Sequence, residues 1–120
     1  MRKLLLLAIC IVTLAADAAA QYSVFEEAVT ADFSKEEMEM FKGTITETLN
    51  STETKTTKEW KSSKSDASGS VTVSEVFTKP IKGEELPCRK TKMVNHARGQ
   101  TGKQVHTFCK IKDGSWKIFP

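Results

Sequence analysis

Cys88 and Cys109 stand at equal distances on either side of the Arg98-Gly99 dipeptide. If the chain folds back there, facing positions have numbers that sum to 197, and the two cysteines meet that condition. Lys90 then faces Thr107, and Lys92 faces Val105. Directly opposed cysteines in a non-hydrogen-bonded pair of antiparallel strands come within bridging range. The spacing predicts a hairpin over these strands, stapled by a Cys88–Cys109 disulfide. Redox and metal chemistry fit less well. There is no C-x-x-C, and His96 and His106, ten apart, have no acid cluster to complete a ligand set. No metal and no cofactor is expected.

The N-terminus indicates an oxidising compartment. Met1-Arg2-Lys3 is basic, Leu4 to Ala16 carries no charge, and Asp17 precedes Ala18-Ala19-Ala20. A positive start, a short apolar run and an A-x-A ending make a secretory signal peptide, residues 1–20, cleaved after Ala20. The run is shorter than the roughly 20 apolar residues of a membrane span, so no transmembrane segment is expected after cleavage. Cys10 lies inside the run and leaves with it. Bulky Ile9 before it occupies a position that lipid-acceptor sites keep small. Cys88 and Cys109 are then the only cysteines left, and an even number in an exported chain argues for a bridge.

Residues 21–33 read as an arm, with Tyr22, Phe25 and Val29 at helical spacing. The strongest helix start follows. Ser34 and Glu37 form a capping box, and Phe33 and Met38 occupy the positions of a hydrophobic staple. Met38, Phe41, Ile45 and Leu49 make one apolar stripe, and the helix should end near Asn50. Beyond it, Ser51 to Lys58 is a polar loop. Trp60 opens into strand, and Asp66-Ala67-Ser68-Gly69 reads as a turn. Ser70 to Lys79 alternates, with Val71, Val73 and Phe77 on one face. Pro80, Gly83 and Pro87 punctuate. Strands are expected near 88–95 and 103–112, then a two-residue Asp113-Gly114 turn and a short strand with Trp116 and Ile118 on one face. The fold class is α+β: one N-terminal helix packed on a four- or five-stranded antiparallel meander, a single domain over 34–120.

Three blocks suggest a family: Pro87-Cys88-Arg89, Cys109-Lys110, and Asp113-Gly114-Ser115-Trp116-Lys117-Ile118. With the upstream helix, Trp60 and Ser68-Gly69-Ser70-Val71-Thr72-Val73, the chain over about 34–118 resembles the C-terminal domain of bacterial outer-membrane surface antigens related to the rickettsial seventeen-kilodalton antigen. Lys90 stands where that family usually has an acid, and Lys110 where it usually has Arg. The resemblance implies a cell-envelope protein, in the periplasm or associated with the outer membrane at the cell surface, and implies no reaction.

Charge divides the chain. Residues 21–60 hold four Lys and nine acids, net −5, whereas residues 61–120 hold twelve Lys or Arg and five acids, net +7. Arg89, Lys90, Lys92, Lys103, Lys110 and Lys112 crowd one hairpin and are candidate anion-binding residues. On 103–112, Lys110 and Lys112 share a face with His106 and Phe108, expected to point outward and away from Val105, Cys109 and Ile111. The partners that fit are anionic envelope components, either lipopolysaccharide or lipid phosphates, or another envelope protein. Nucleic acid does not fit an exported chain whose aromatics do not alternate with its cations. No catalytic residues are assigned, because only His96 and His106 are available as bases and no nucleophile elbow is present. An alternative is a secreted inhibitor of cystatin-like architecture, favoured by the helix-then-meander order and the Asn50-Ser51-Thr52 sequon. The Q-x-V-x-G loop of such inhibitors is missing.

Closing a loop of about 20 residues is worth roughly 3 kcal/mol on the chain-entropy model. Cys88→Ser should therefore lower the thermal unfolding midpoint markedly, and intact mass of the wild type should show no free thiol on these two residues. An unchanged midpoint would mean that the bridge contributes nothing to stability.

Overall fold

The computed structural model describes residues 29–51 and 55–120. The expected signal peptide, Cys10 and the first part of the expected arm lie outside these residues. A 3₁₀ turn (Thr30–Asp32) leads into helix α1 (Lys35–Leu49). Five strands follow: β1 (Thr57–Lys61), β2 (Ser68–Ile81), β3 (Glu84–Ala97), β4 (Gln100–Lys110) and β5 (Trp116–Phe119). They pair in chain order as an antiparallel meander that curls into a half-barrel, with α1 packed on one face.

The helix begins where local chemistry demands. Ser34 Oγ accepts from Glu37 N, and Glu37 Oε1 accepts from Ser34 N, completing the capping box. Phe41, Ile45 and Leu49 are buried on the sheet side, and Phe33 and Met38 pack on the same cluster. Thr44 and Thr48 lie between them. Each satisfies its hydroxyl on the carbonyl four residues back, so both can be buried without an orphaned donor. Asn50 closes the helix. The described end of the arm is not peripheral: Val29 and Thr30 are buried, and Phe33 meets Trp60 edge-on with ring centroids 5.0 Å apart. Burying these rings removes a large apolar area from water, which draws the segment into the core.

The β3–β4 register is the one that the cysteine spacing requires. Cys88 pairs with Cys109, Lys90 with Thr107 and Lys92 with Val105. The disulfide joins Cα atoms 4.0 Å apart. Arg98 and Gly99 both take positive φ, 51° and 72°, as a two-residue hairpin turn of matching twist requires. The Asp66 carboxylate accepts from the N–H groups of both, at 3.1 Å each, and so ties the β1–β2 loop to this turn.

Several boundaries differ from the sequence expectation. Ser68 and Gly69 belong to β2, and the β1–β2 turn ends at Ala67, whose carbonyl accepts from Ser62 N. Gly69 lies in the strand because Trp60 and Asn95 pack directly over it. A Cβ there would clash with Trp60 Nε1 and Asn95 Oδ1. β2 and β3 run straight through Pro80 and Pro87 to a Lys82-Gly83 turn. Proline is tolerated because this end of the hairpin is two-stranded: β1 pairs only with residues 68–72 of β2, and β4 only with residues 88–97 of β3. The β4–β5 connection is longer than a two-residue turn. Lys110 pairs with Trp116, and Asp113 Oδ1 accepts from both the N–H and the hydroxyl of Ser115, which gives the backbone an alternative to the ladder.

The largest correction concerns the faces. The β2–β3 register shifts between Val73 and Glu75. This bulge inserts one residue, so Val71 and Val73 face the helix while Phe77, paired with Cys88, faces the other way. The molecule therefore holds two apolar clusters on opposite faces. The larger lies under α1 and includes Trp60, Val71, Met93, Ala97 and Phe108. The smaller surrounds the disulfide with Leu86, Phe77, Ile81, Ile111 and Phe119.

Glu37 fastens the helix start to the β1–β2 loop. Its carboxyl is held down to about 2 from the usual 4.5, foremost by the Ser34 N–H and then by the hydroxyls of Ser62 and Ser65. Ser65 Oγ donates to Glu37 Oε2 at 2.6 Å. A carboxylate whose folded-state pKa is depressed contributes stability above the unfolded value and loses it as the pH falls through the folded one. Glu37→Gln should lower the unfolding midpoint near pH 6. The gap from wild type should narrow as the pH falls from about 4.5 and close by about pH 2. A gap that stays constant across that range would show that the ionised carboxylate is not what holds the loop.

Candidate anion-binding face

Alternation along the ladders sets which side chains share the face turned away from α1. On β3 it presents Leu86, Cys88, Lys90, Lys92 and Val94, and on β4 Cys109, Thr107, Val105 and Lys103. Lys79 of β2, paired with Leu86, and Lys117 of β5, paired with Cys109, belong to the same face. No described element covers it. Val105 is the most open large apolar side chain of the described residues, at 58 % exposure. Lys90, Lys92 and Lys103 are all exposed around it. Val105 was expected to point inward and Phe108 outward; the reverse holds, with Phe108 buried under the helix side at 5 %. The cause is that the disulfide lies on the uncovered face, so sharing its face is not the same as lying in the main core. Lys90 and Lys92, on the same face as Cys88, therefore point to solvent.

The six candidate cations therefore do not form one patch. Lys90, Lys92 and Lys103 come together on the uncovered face. Arg89 and Lys110 lie on the helix side, where both cations flank Trp116, at 5.6 and 5.8 Å from its ring centroid. Arg89 Nη1 also donates to the Cys88 carbonyl. Lys112 leaves the sheet altogether and pairs with Glu84 at 2.6 Å, which raises its pKa. Lys110 does share a face with His106 and Phe108, opposite Val105 and Cys109, but that face is the helix side, and Lys112 does not join it because β4 ends at Lys110.

Sequence reasoning missed Lys79, Lys82 and Lys117, and with them an apolar cleft of about 630 Å³ at the disulfide end of the same face. Ile81, Leu86, Ile111 and Phe119 line it, with Lys82, Lys112 and Lys117 around the mouth. The signal for it was the Phe77, Lys79, Ile81 alternation, readable only once the bulge has turned these residues to the disulfide side.

His96 and His106 cannot act as a pair. His96 points to the uncovered face, where its Nδ1 meets Thr101 Oγ1 at 2.8 Å, and His106 points to the helix side, where its Nε2 meets Gln104 Oε1. Among the described residues no His, Cys, Asp and Glu group is arranged to hold a metal. No helix of the described residues is long and apolar enough to cross a membrane.

No family model, curated protein or solved structure matches this chain.

Trp116 is half-buried against the main cluster and donates its Nε1–H to Asn50 Oδ1 at 2.9 Å, joining the last strand to the end of α1. Trp116→Ala should cost about 2–4 kcal/mol in denaturant unfolding, and Trp116→Phe about 1 kcal/mol, the share of the hydrogen bond. Equal losses for the two would mean that the ring itself contributes nothing.

Proposed function

We propose that this is a non-enzymatic, exported cell-envelope protein of the surface-antigen type that docks through its uncovered sheet face onto anionic envelope surfaces such as lipid phosphates or lipopolysaccharide. The observation behind this reading is the grouping of Lys90, Lys92 and Lys103 around exposed Val105 on a face that no described element covers. Long lysine side chains place their ammonium groups at phosphate height while an apolar side chain between them dips toward the acyl boundary. The signal-peptide pattern and the Cys88–Cys109 bridge support an extracytoplasmic location. The resemblance of the three sequence blocks to the surface antigens supports the envelope assignment.

Lysines near an anionic membrane surface contribute about 1 kcal/mol each and are screened within a Debye length. Three of them give weak, salt-sensitive docking. The exported protein should co-sediment with vesicles containing anionic phospholipid at about 0.02 M salt and be released by about 0.15 M. Lys92→Glu combined with Lys103→Glu should abolish this without changing the unfolding midpoint, since both side chains are exposed. Failure of the wild type to co-sediment at any salt would make the cluster a solvated face that merely keeps the sheet from aggregating.

A further inference from the structure

The cleft at the disulfide end has a different character from the lysine cluster around Val105. Its floor is apolar, formed by buried Leu86 and by Ile81, Ile111 and Phe119, which are only partly buried although they pack on the second cluster. Its walls are the Lys82-Gly83 turn and the Ile111–Ser115 connection, linked across the top by the Lys112–Glu84 ion pair. Its volume, about 630 Å³, lies within the roughly 300–1,000 Å³ typical of small-molecule sites.

The charges at the mouth are not balanced. Glu84 is taken up by Lys112, and Asp113 is engaged by the N–H and hydroxyl of Ser115. Lys82 and Lys117 form no ion pair among the described residues, although Lys117 lies close enough to Asp113 to help keep it charged. An occupant must therefore bring apolar bulk and a negative end. An acidic peptide lacks the first. A second copy of this chain docking by the same face would set lysines against lysines.

We propose that this cleft binds a single-chain anionic amphiphile, a long-chain fatty carboxylate, with its acyl chain along Ile81, Leu86, Ile111 and Phe119 and its carboxylate between Lys82 and Lys117. This site is separate from the surface that docks on membranes and stands without it.

Titration calorimetry with octanoate, decanoate and dodecanoate, each below its micelle concentration, tests this at about 0.15 M salt, where membrane docking has faded. Affinity should rise about two- to fourfold per methylene. Dodecyltrimethylammonium should bind at least tenfold more weakly than dodecanoate. Lys82→Glu with Lys117→Glu should reverse that preference, and Ile111→Asp should abolish the chain-length dependence. Because Ile111→Asp also perturbs the second cluster, amide chemical shifts of the wild type give a reading that needs no variant: dodecanoate should move Ile81, Ile111 and Phe119 and leave Lys92 and Lys103 unmoved. Lys92→Glu with Lys103→Glu should keep dodecanoate binding even where vesicle binding is lost, so the two readings fail separately. Absence of dodecanoate binding at millimolar concentration, equal affinity for the cationic amphiphile, or shifts confined to Lys90–Lys103 would each overturn the proposal.

Discussion

The pairing of β2 with β3 carries both apolar clusters, and the single extra residue at Ser74 determines how they are divided. Before the bulge, Val71 opposes Met93 and Val73 opposes Thr91, all turned toward α1. After it, Phe77 opposes Cys88 on the other side. Without the inserted residue, β2 would keep Phe77, Lys79 and Ile81 on the helix side, beyond the reach of α1, where nothing would cover them. Two strands thus serve two cores, and the sheet has no wholly dry face. The disulfide lies in the smaller core because five partly or fully buried side chains do not bury enough area on their own. The covalent bond does there what α1 does on the opposite face.

This division explains which expectations could be read from the sequence. The helix was legible because its determinants are local: Ser34 and Glu37 satisfy each other three residues apart, and the apolar stripe repeats at helical spacing. The β3–β4 register was legible because two cysteines and one Arg-Gly turn overdetermine it. The faces were not. A strict two-residue period places Phe77 with Val71, and only the three-dimensional register shows the bulge. The lysine positions failed for the same reason. In the sequence Cys109 reads as a marker of the core, which puts Val105 inside with it, whereas the core marker on β4 is Phe108. Pro80 and Pro87 looked like punctuation because nothing in the sequence shows that their end of the hairpin has lost its neighbours on both sides.

The charge asymmetry between the two halves divides in a similar way. Some of it is internal: Lys64 pairs with Glu36 at 2.9 Å and Arg98 approaches Asp32 at 3.8 Å, each joining the basic half to the acidic helix region. These contacts are largely exposed, and exposed pairs contribute little, so they do not account for the whole excess. The remaining cations are sorted by face. Arg89 and Lys110 are held against the Trp116 ring, where their charge is partly satisfied by the aromatic quadrupole. Lys90, Lys92 and Lys103 have no such neighbour among the described residues and project from the face without a helix.

A sheet that leaves one face uncovered normally makes that face polar in alternation, which is sufficient for solubility. Here Val94, Val105 and the cleft residues interrupt the alternation, and each interruption lies beside lysine: Val94 pairs with Lys103, Val105 with Lys92, and Leu86 with Lys79. A purely protective arrangement would need the charges and not the apolar side chains between them. Mixed cationic and apolar lining is what an anionic amphiphile or an anionic lipid surface demands, since desolvating the apolar part and neutralising the charged part must occur together. The same side of the molecule thus combines a flat region suited to many phosphates with an open apolar cleft of a size for a single chain. The bulge at Ser74 adds Phe77, Lys79 and Ile81 of β2 to that side.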